Sequence, residues 1–347
     1  MFTTPPRRSD GETRAPRSTR DRLVGVVGIV AFIGGSAYMV ARKGLFIQTD
    51  TVFLWVIAGL VALSLTDLRR LVPRLLIDWI PVALLFVLYD YSRQLSVWLG
   101  IPTHKSLQIQ FDELLFGKPL LTLQLQHWLG QTKAVRPWEY ALFGVYMTHF
   151  FLALVIAALL WRFAYPRFRQ FRAQLVTLFT LGFATYVLYP ADPPWLVANR
   201  LHELPTIYRV VFEVWGKLGL HTAGSIVEHG NELGNQLAAV PSMHAATSLF
   251  ICLFFWRSVR PWLRAVLVAY VLAMAFTLVY GGEHYFFDVV VGWVYAVAVI
   301  AGAAALGRVR ARANRRTPLA LRPATVTATS ERELVGVHST TSPTAPL

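Results

Sequence analysis

Two histidines and an aspartate, carried by motifs 40 positions apart, are the side chains of this sequence best suited to chemistry. Pro241-Ser242-Met243-His244 opens one apolar run, and Gly282-Glu283-His284-Tyr285-Phe286-Phe287-Asp288 separates the next two. His284 and Asp288 are four residues apart, so a helix beginning near His284 would put them on one face, with the carboxylate accepting a ring N–H. A carboxylate that orients one ring nitrogen leaves the other free to attack. The same pair also suits two ligands of a metal ion, or a structural hydrogen bond. His244 follows Pro241, which fits a first helical turn, where free backbone N–H groups and the positive helix end meet anions. A phosphate there would meet those donors, the Ser242 hydroxyl and the imidazole, which makes His244 a candidate general acid. Ionisable groups in a membrane segment are expensive to hold and point to function of some kind.

The elements that must position these groups are membrane spans. The chain has 347 residues, is 55% hydrophobic and only 15% charged, and has a mean hydropathy of +0.48, which describes an all-α polytopic membrane protein. Eight apolar segments are expected at about 23–41, 51–67, 75–92, 137–161, 172–189, 242–257, 262–280 and 286–307. The net charge of +14 sits in short basic runs between them, as the positive-inside rule requires, which argues against a nucleic-acid partner. Arg69, Arg70 and Arg74 separate the second and third segments, Arg162, Arg167, Arg169 and Arg172 the fourth and fifth, and Arg257, Arg260 and Arg264 the sixth and seventh. Eight spans with both termini inside put all these clusters on the cytoplasmic face, and put His244, His284 and Asp288 at the outer face. Cys252, the single cysteine, lies in an apolar run and reads as a small core residue. The first segment is near the length of a full span and reads as a retained anchor rather than a signal peptide.

Residues 1–22 and 308–347 read as disordered cytoplasmic ends, rich in Arg, Pro, Ser and Thr. Two outer segments, 93–136 and 190–241, contain amphipathic stretches at 107–129 and 207–220 that read as helices in the membrane interface, either braces or a rim admitting a headgroup. In the second, Val210, Val211, Val214, Trp215 and Leu218 share a face. Arg93, at the outer end of the third span, is a candidate phosphate clamp or a snorkelling arginine. Tyr146 and His149 on the fourth span face either the cavity or the packed interior, and Asp192 either shapes an outer loop or contacts a headgroup. His104, His127, His202, His221 and His229 lack ligand-like spacing and read as solvent-facing or interfacial.

The two histidine motifs resemble the second and third signatures of the type 2 phosphatidic acid phosphatase (PAP2) superfamily. Further runs, Phe111-Asp112-Glu113-Leu114-Leu115-Phe116-Gly117, Tyr189-Pro190-Ala191-Asp192-Pro193-Pro194-Trp195 and Tyr280-Gly281-Gly282-Glu283-His284-Tyr285, are similar to a branch that resembles inositol phosphorylceramide synthase. The resemblance implies a six-helix catalytic core over 75–307, with residues 23–74 as two additional spans. It also implies His284 as a nucleophile forming phosphohistidine, Asp288 as its orienter and His244 as the acid, with no metal or organic cofactor. The superfamily's first signature, a lysine six residues ahead of Arg-Pro, is absent; Lys133 is the nearest lysine to Arg136-Pro137, and Thr277 and Leu278 stand where the third signature carries Ser-Arg. A phosphate monoester needs such cationic clamps more than a diester does. Their loss favours transfer of a phospho-headgroup from a phospholipid to a hydroxyl acceptor over lipid phosphate or pyrophosphate hydrolysis. A non-catalytic lipid or solute carrier and a metal-dependent intramembrane hydrolase are the further alternatives. The Arg/Ala-rich composition without glycosylation sequons fits a bacterial plasma membrane.

Overall fold

Each of the eight apolar stretches contains a helix among its described residues, because in lipid only a helix satisfies every backbone group within its own segment. The computed structural model describes residues 19–43, 49–62, 65, 68–132, 134–218 and 238–316. Among these are α1 (Thr19–Lys43), α2 (Thr49–Ala62), α3 (Leu68–Trp98), α4 (Ser106–Phe116), α5 (Leu121–Trp128), α6 (Pro137–Phe163), α7 (Tyr165–Leu188), α8 (Pro194–Asn199), α9 (Val210–Lys217), α10 (Met243–Phe255), α11 (Pro261–Tyr280) and α12 (Phe286–Arg316). Four of them, α6, α7, α11 and α12, are long and apolar enough to cross a bilayer, and shorter apolar stretches lie in α1, α2, α3 and α10. No strand occurs among the described residues; isolated bridges link His104 to Ala191 and Ala191 to Ala238. The chain is an all-α polytopic membrane protein, and outward-facing Ile77, Phe163, Leu188 and Trp262 present apolar surface suited to lipid.

Several boundaries differ from the sequence reading. Residues 19–22, expected to be disordered, begin α1, and residues 308–316, assigned to a disordered tail, continue α12. The latter stretch is Arg- and Ala-rich, both strong helix formers, with no proline until Pro318. The third helix runs on to Trp98, into the outer segment expected from 93. The arginines between the fourth and fifth spans do not form a loop: α6 and α7 are separated by Ala164 alone, so Arg167, Arg169 and Arg172 stand on α7. Residues 1–18 and 317–347, and with them most of the two expected disordered ends, lie outside the described residues, as do His221 and His229.

The chain divides into two compact units, Met1–Ala303 and Ala304–Leu347. In the second, residues 304–316 are helical and 304–313 are exposed. The first unit holds the core, where Trp79 of α3, Phe168, Phe171, Leu175 and Leu178 of α7, Phe250 of α10 and Ala296 of α12 pack together, fully buried. A buried polar node ties α3 to the α6–α7 junction. Asp78 accepts hydrogen bonds from Trp161 (2.9 Å), Tyr165 (3.3 Å) and Arg172 (2.6 Å), so its charge is paired as a buried carboxylate requires. The amphipathic stretch at 207–220 becomes α9, with Val210, Val211, Val214 and Trp215 buried against Phe143 and Met147 of α6. Leu218, placed on that face by periodicity, is 45% exposed because it lies just past the last helical residue. The expected stretch at 107–129 is two helices, α4 and α5, broken at Gly117 and Pro119.

Candidate active site

The turn between α11 and α12 carries the first histidine. Gly281 and Gly282 make it possible: a side chain on Gly281 would lie 2.6 Å from the Thr277 carbonyl. Gly282 has φ +73°, and a Cβ there would lie 2.3 Å from Ile207. His284 lies two residues ahead of α12, so it does not share a helical face with Asp288 as the spacing suggested. The pair forms instead through the start of the helix. Asp288 occupies the third helical position, and its Oδ2 accepts the backbone N–H of Tyr285 at 3.0 Å, half of a capping box. The same oxygen lies 3.3 Å from Nδ1 of His284. Asp288 is fully buried, and its other oxygen, Oδ1, has no hydrogen-bond partner. The carboxylate thus meets the ring at Nδ1, and Nε2 is the other ring nitrogen.

The second histidine is brought in by the start of α10. Ser242 is its N-cap, its Oγ accepting from the Ala245 N–H at 3.4 Å, and its own N–H donates to the Asp288 carbonyl at 3.0 Å. Ser242 is fully buried, and its oxygen serves as helix cap, which leaves its O–H as a donor. Close approach of the two helices requires Gly292, where a Cβ would lie 2.4 Å from the Ser242 carbonyl. The ring of His244 lies with its centroid 5.9 Å from that of His284.

Helix α6 forms the opposite wall. The ring of His244 is sandwiched by Tyr146 (4.6 Å, 24°) and His149 (3.9 Å, 28°), with Phe150 edge-on at 5.8 Å. Two ring nitrogens here, Nε2 of His244 and Nδ1 of His149, are buried without a hydrogen-bond partner, as in a site built to receive a polar ligand. His149 is twelve residues into α6, about 18 Å along it, so the site is recessed along the helix rather than placed at its tip.

The other sequence candidates separate. Asp192 is buried at 4% exposure, accepts a hydrogen bond from Thr103 (3.0 Å) and anchors the loop through its N–H to the His104 carbonyl. Burial is the main influence on its carboxyl, raising its pKa. Its contacts are those of a loop-shaping residue. His104 is half-buried, its ring stacked on Tyr189 at 4.1 Å. The side chain of Arg93 lies outside the described residues. Arg136 is used locally on the carbonyls of Leu129 and Gly130. Arg209 pairs with both oxygens of Glu283 (3.1 and 3.0 Å), next to His284, and stacks over Trp195 at 4.0 Å.

Sequence reasoning missed the polar faces of α4 and α5. Asp112 of α4, 1% exposed, accepts the N–H groups of Phe286 (2.9 Å) and Phe287 (3.0 Å), the first two residues of α12. On α5, Thr122 donates to the Val279 carbonyl (2.9 Å) and Gln126 to the Tyr280 carbonyl (2.8 Å), at the end of α11. The available signal was the i, i+4 spacing of Gln108 with Asp112 and of Thr122 with Gln126, which marks a polar helical face but not what it meets.

The family model of the PAP2 superfamily matches residues 117–302, more than half of the chain. A curated relative, the phosphoinositol dihydroceramide synthase of Bacteroides thetaiotaomicron, is 26% identical over 232 residues, covering 63% of this chain and 73% of its own. No solved structure matches the chain. By that family match, with both histidine motifs inside the matched region, the chain belongs to the PAP2 superfamily, as a membrane-embedded lipid phosphotransferase or phosphatase.

Proposed function

We propose that the protein transfers a phospho-headgroup from a phospholipid to a hydroxyl acceptor through a phosphohistidine on His284. The observation that carries this is the pair of imidazoles with ring centroids 5.9 Å apart, one of them beside a buried carboxylate at 3.3 Å. Nε2 of His284 attacks phosphorus, and the phosphorus–oxygen bond to the departing alcohol breaks as His244 delivers its proton to that oxygen. Asp288 stabilises the charge on the His284 ring through Nδ1. The acceptor hydroxyl then gives its proton to His244 and its oxygen to phosphorus, and the phosphorus–nitrogen bond breaks. His284 is returned free and His244 reprotonated. Positioning of the two imidazoles on helix starts supplies much of the acceleration.

A diester is the better fit to the charge available. Thr277 and Leu278 occupy the positions of the family's Ser-Arg; the Thr277 hydroxyl bonds the Ala273 carbonyl, and Leu278 is fully buried. The guanidinium of Arg209 is countered by Glu283. A singly charged diester asks less of such a site than a monoester with nearly two charges. The relative's name points to phosphoinositol as the group moved and a dihydroceramide as acceptor. The arginine clusters support a site open to the outer leaflet, with both termini cytoplasmic, in a bacterial plasma membrane.

The test is turnover in reconstituted vesicles containing phosphatidylinositol labelled in the headgroup, with and without dihydroceramide. Acceptor-dependent formation of a labelled product, lost in His284→Ala, supports the transferase. Release of inorganic phosphate from phosphatidic acid vesicles, with no headgroup transfer, identifies a phosphatase instead. Activity that survives His284→Ala sinks the histidine mechanism, while the products still separate transferase from phosphatase.

A further inference from the structure

We propose that Asp112 is a positioning residue for His284, acting by holding the start of α12 so that Asp288 stays on the histidine. The inference rests on the histidine reading above. The first N–H groups of any helix have no partner inside it and seek acceptors nearby. At the start of α12 these are the amides of Tyr285, Phe286 and Phe287, and two carboxylates share them. Asp288 takes Tyr285 at 3.0 Å, while Asp112 takes Phe286 at 2.9 Å and Phe287 at 3.0 Å, one on each oxygen. Asp112 comes from α4, 174 residues away in sequence, so this cap exists only through the tertiary fold. The ring of Phe111 packs edge-on against Phe287 and that of Phe116 against Phe286, each at 5.2 Å, which fixes α4 on the same two residues.

The division of labour has a consequence for the nucleophile. A carboxylate at the third helical position can reach the amides of the first turn. Without Asp112, the amides of Phe286 and Phe287 become unpaired buried donors beside Asp288, whose Oδ1 has no partner. Asp288 would rotate to satisfy them and release Nδ1 of His284, freeing the ring to turn and to adopt the other tautomer. The opposite end of the turn is held the same way, by Thr122 and Gln126 on the last carbonyls of α11. Helices α4 and α5 thus clasp both ends of the segment that carries His284. Asp112 is the member of that clasp whose loss reaches the reacting ring through a single side chain.

The experiment compares Asp112→Asn, Asp112→Glu and Asp112→Ala in the full chain, purified by size exclusion and assayed on phosphatidylinositol or phosphatidic acid vesicles, whichever the unmodified chain turns over. The expected result in every variant that folds is a fall in kcat of about tenfold or more with KM within twofold. The ¹⁵N resonance of His284 Nδ1 should lose its hydrogen-bonded shift in the same variants. Asparagine keeps one acceptor oxygen and should lose less than alanine. A kcat within twofold of the unmodified chain, a loss confined to KM, or an unchanged Nδ1 resonance overturns the proposal. Failure of all three variants to fold also overturns it, since Asp112 would then serve the fold and not the ring. His284→Ala separates the two readings: activity that survives it removes the histidine mechanism, while activity lost in His284→Ala and kept in Asp112→Asn removes only the role of Asp112.

Discussion

The imidazole of His149 lies against that of His244, ring centroids 3.9 Å apart and planes inclined by 28°, with Tyr146 on the other face at 4.6 Å. The acid role proposed for His244 needs a ring held steady while a proton leaves it, and two rings from one helix fix its plane. His149→Phe keeps a ring in the stack and should retain kcat within about threefold, whereas His149→Ala opens a gap and should lower kcat by about tenfold or more. Steady-state kinetics on the same vesicles decides it. Equal loss in both variants would show that a nitrogen of His149, and not its ring, is what the reaction uses.

Gly292 sets the distance between α10 and α12. A Cβ there would lie 2.4 Å from the Ser242 carbonyl and 3.2 Å from the Ala246 nitrogen, both backbone atoms that cannot turn aside. Gly292→Ala should push α10 from α12, lowering stability by about 1–3 kcal/mol as overpacking does and kcat by roughly 100-fold. Thermal unfolding in detergent and turnover measure the two effects. An alanine variant with unmodified activity would mean that the helices are free to slide without separating the histidines.

Arg209 and Glu283 form a paired contact at 3.0–3.1 Å, with side-chain exposures of 20% and 9%. Removing one partner leaves the other charge largely buried, an effect of about 2 kcal/mol after allowing for the exposed edge. Arg209→Met should therefore destabilise the chain, and Glu283→Gln added to it should restore most of the loss. The double-mutant cycle measures the coupling directly. Additive losses in the cycle would show that the pair contributes no interaction energy.

Burial raises the carboxyl pKa of Asp112 from its ordinary 3.8 to about 6, even though the Phe286 and Phe287 amides pull it down. A carboxyl with a raised folded-state pKa holds its proton more tightly in the native chain than in the unfolded one. Its contribution to stability is therefore complete below the unfolded value, and is lost as pH rises through about 6. The loss amounts to about 3 kcal/mol. The cap works the other way, because the ionised form accepts both amides. Between pH 5 and 7.5 the unfolding temperature should fall while kcat rises, and both trends should flatten in Asp112→Asn. A stability curve in that variant with the unmodified slope would assign the titration to another group.

Much of this protein was legible in its residues alone. The eight helices follow from hydropathy, because a bilayer leaves the backbone no other way to satisfy itself, and Pro241-Ser242 marks the start of α10 as clearly as any capping signal can. The identity of His244, His284 and Asp288 as a group was legible too, since three ionisable side chains beside apolar runs need a reason to be there. Helix ends were less so: the arginines after Ala164 and after Gly307 look like loop and tail, yet they lie on α7 and α12, because Pro166 falls in the first turn of α7, where it is tolerated, and no proline follows Gly307 until Pro318.

Only the tertiary structure decided how these residues work together. Spacing suggested a shared helical face for His284 and Asp288, but the pair forms through a capping arrangement at a helix start, which depends on where the Gly281-Gly282 turn ends. The stack of Tyr146, His149 and His244 joins α6 to α10 across about a hundred residues, and no periodicity within either helix encodes which faces meet. Asp112 is the clearest instance. From sequence it is an acid on an amphipathic helix, indistinguishable from one facing water. The fold buries it against the unpaired amides of α12, and a buried donor and acceptor must find each other wherever they lie in the chain.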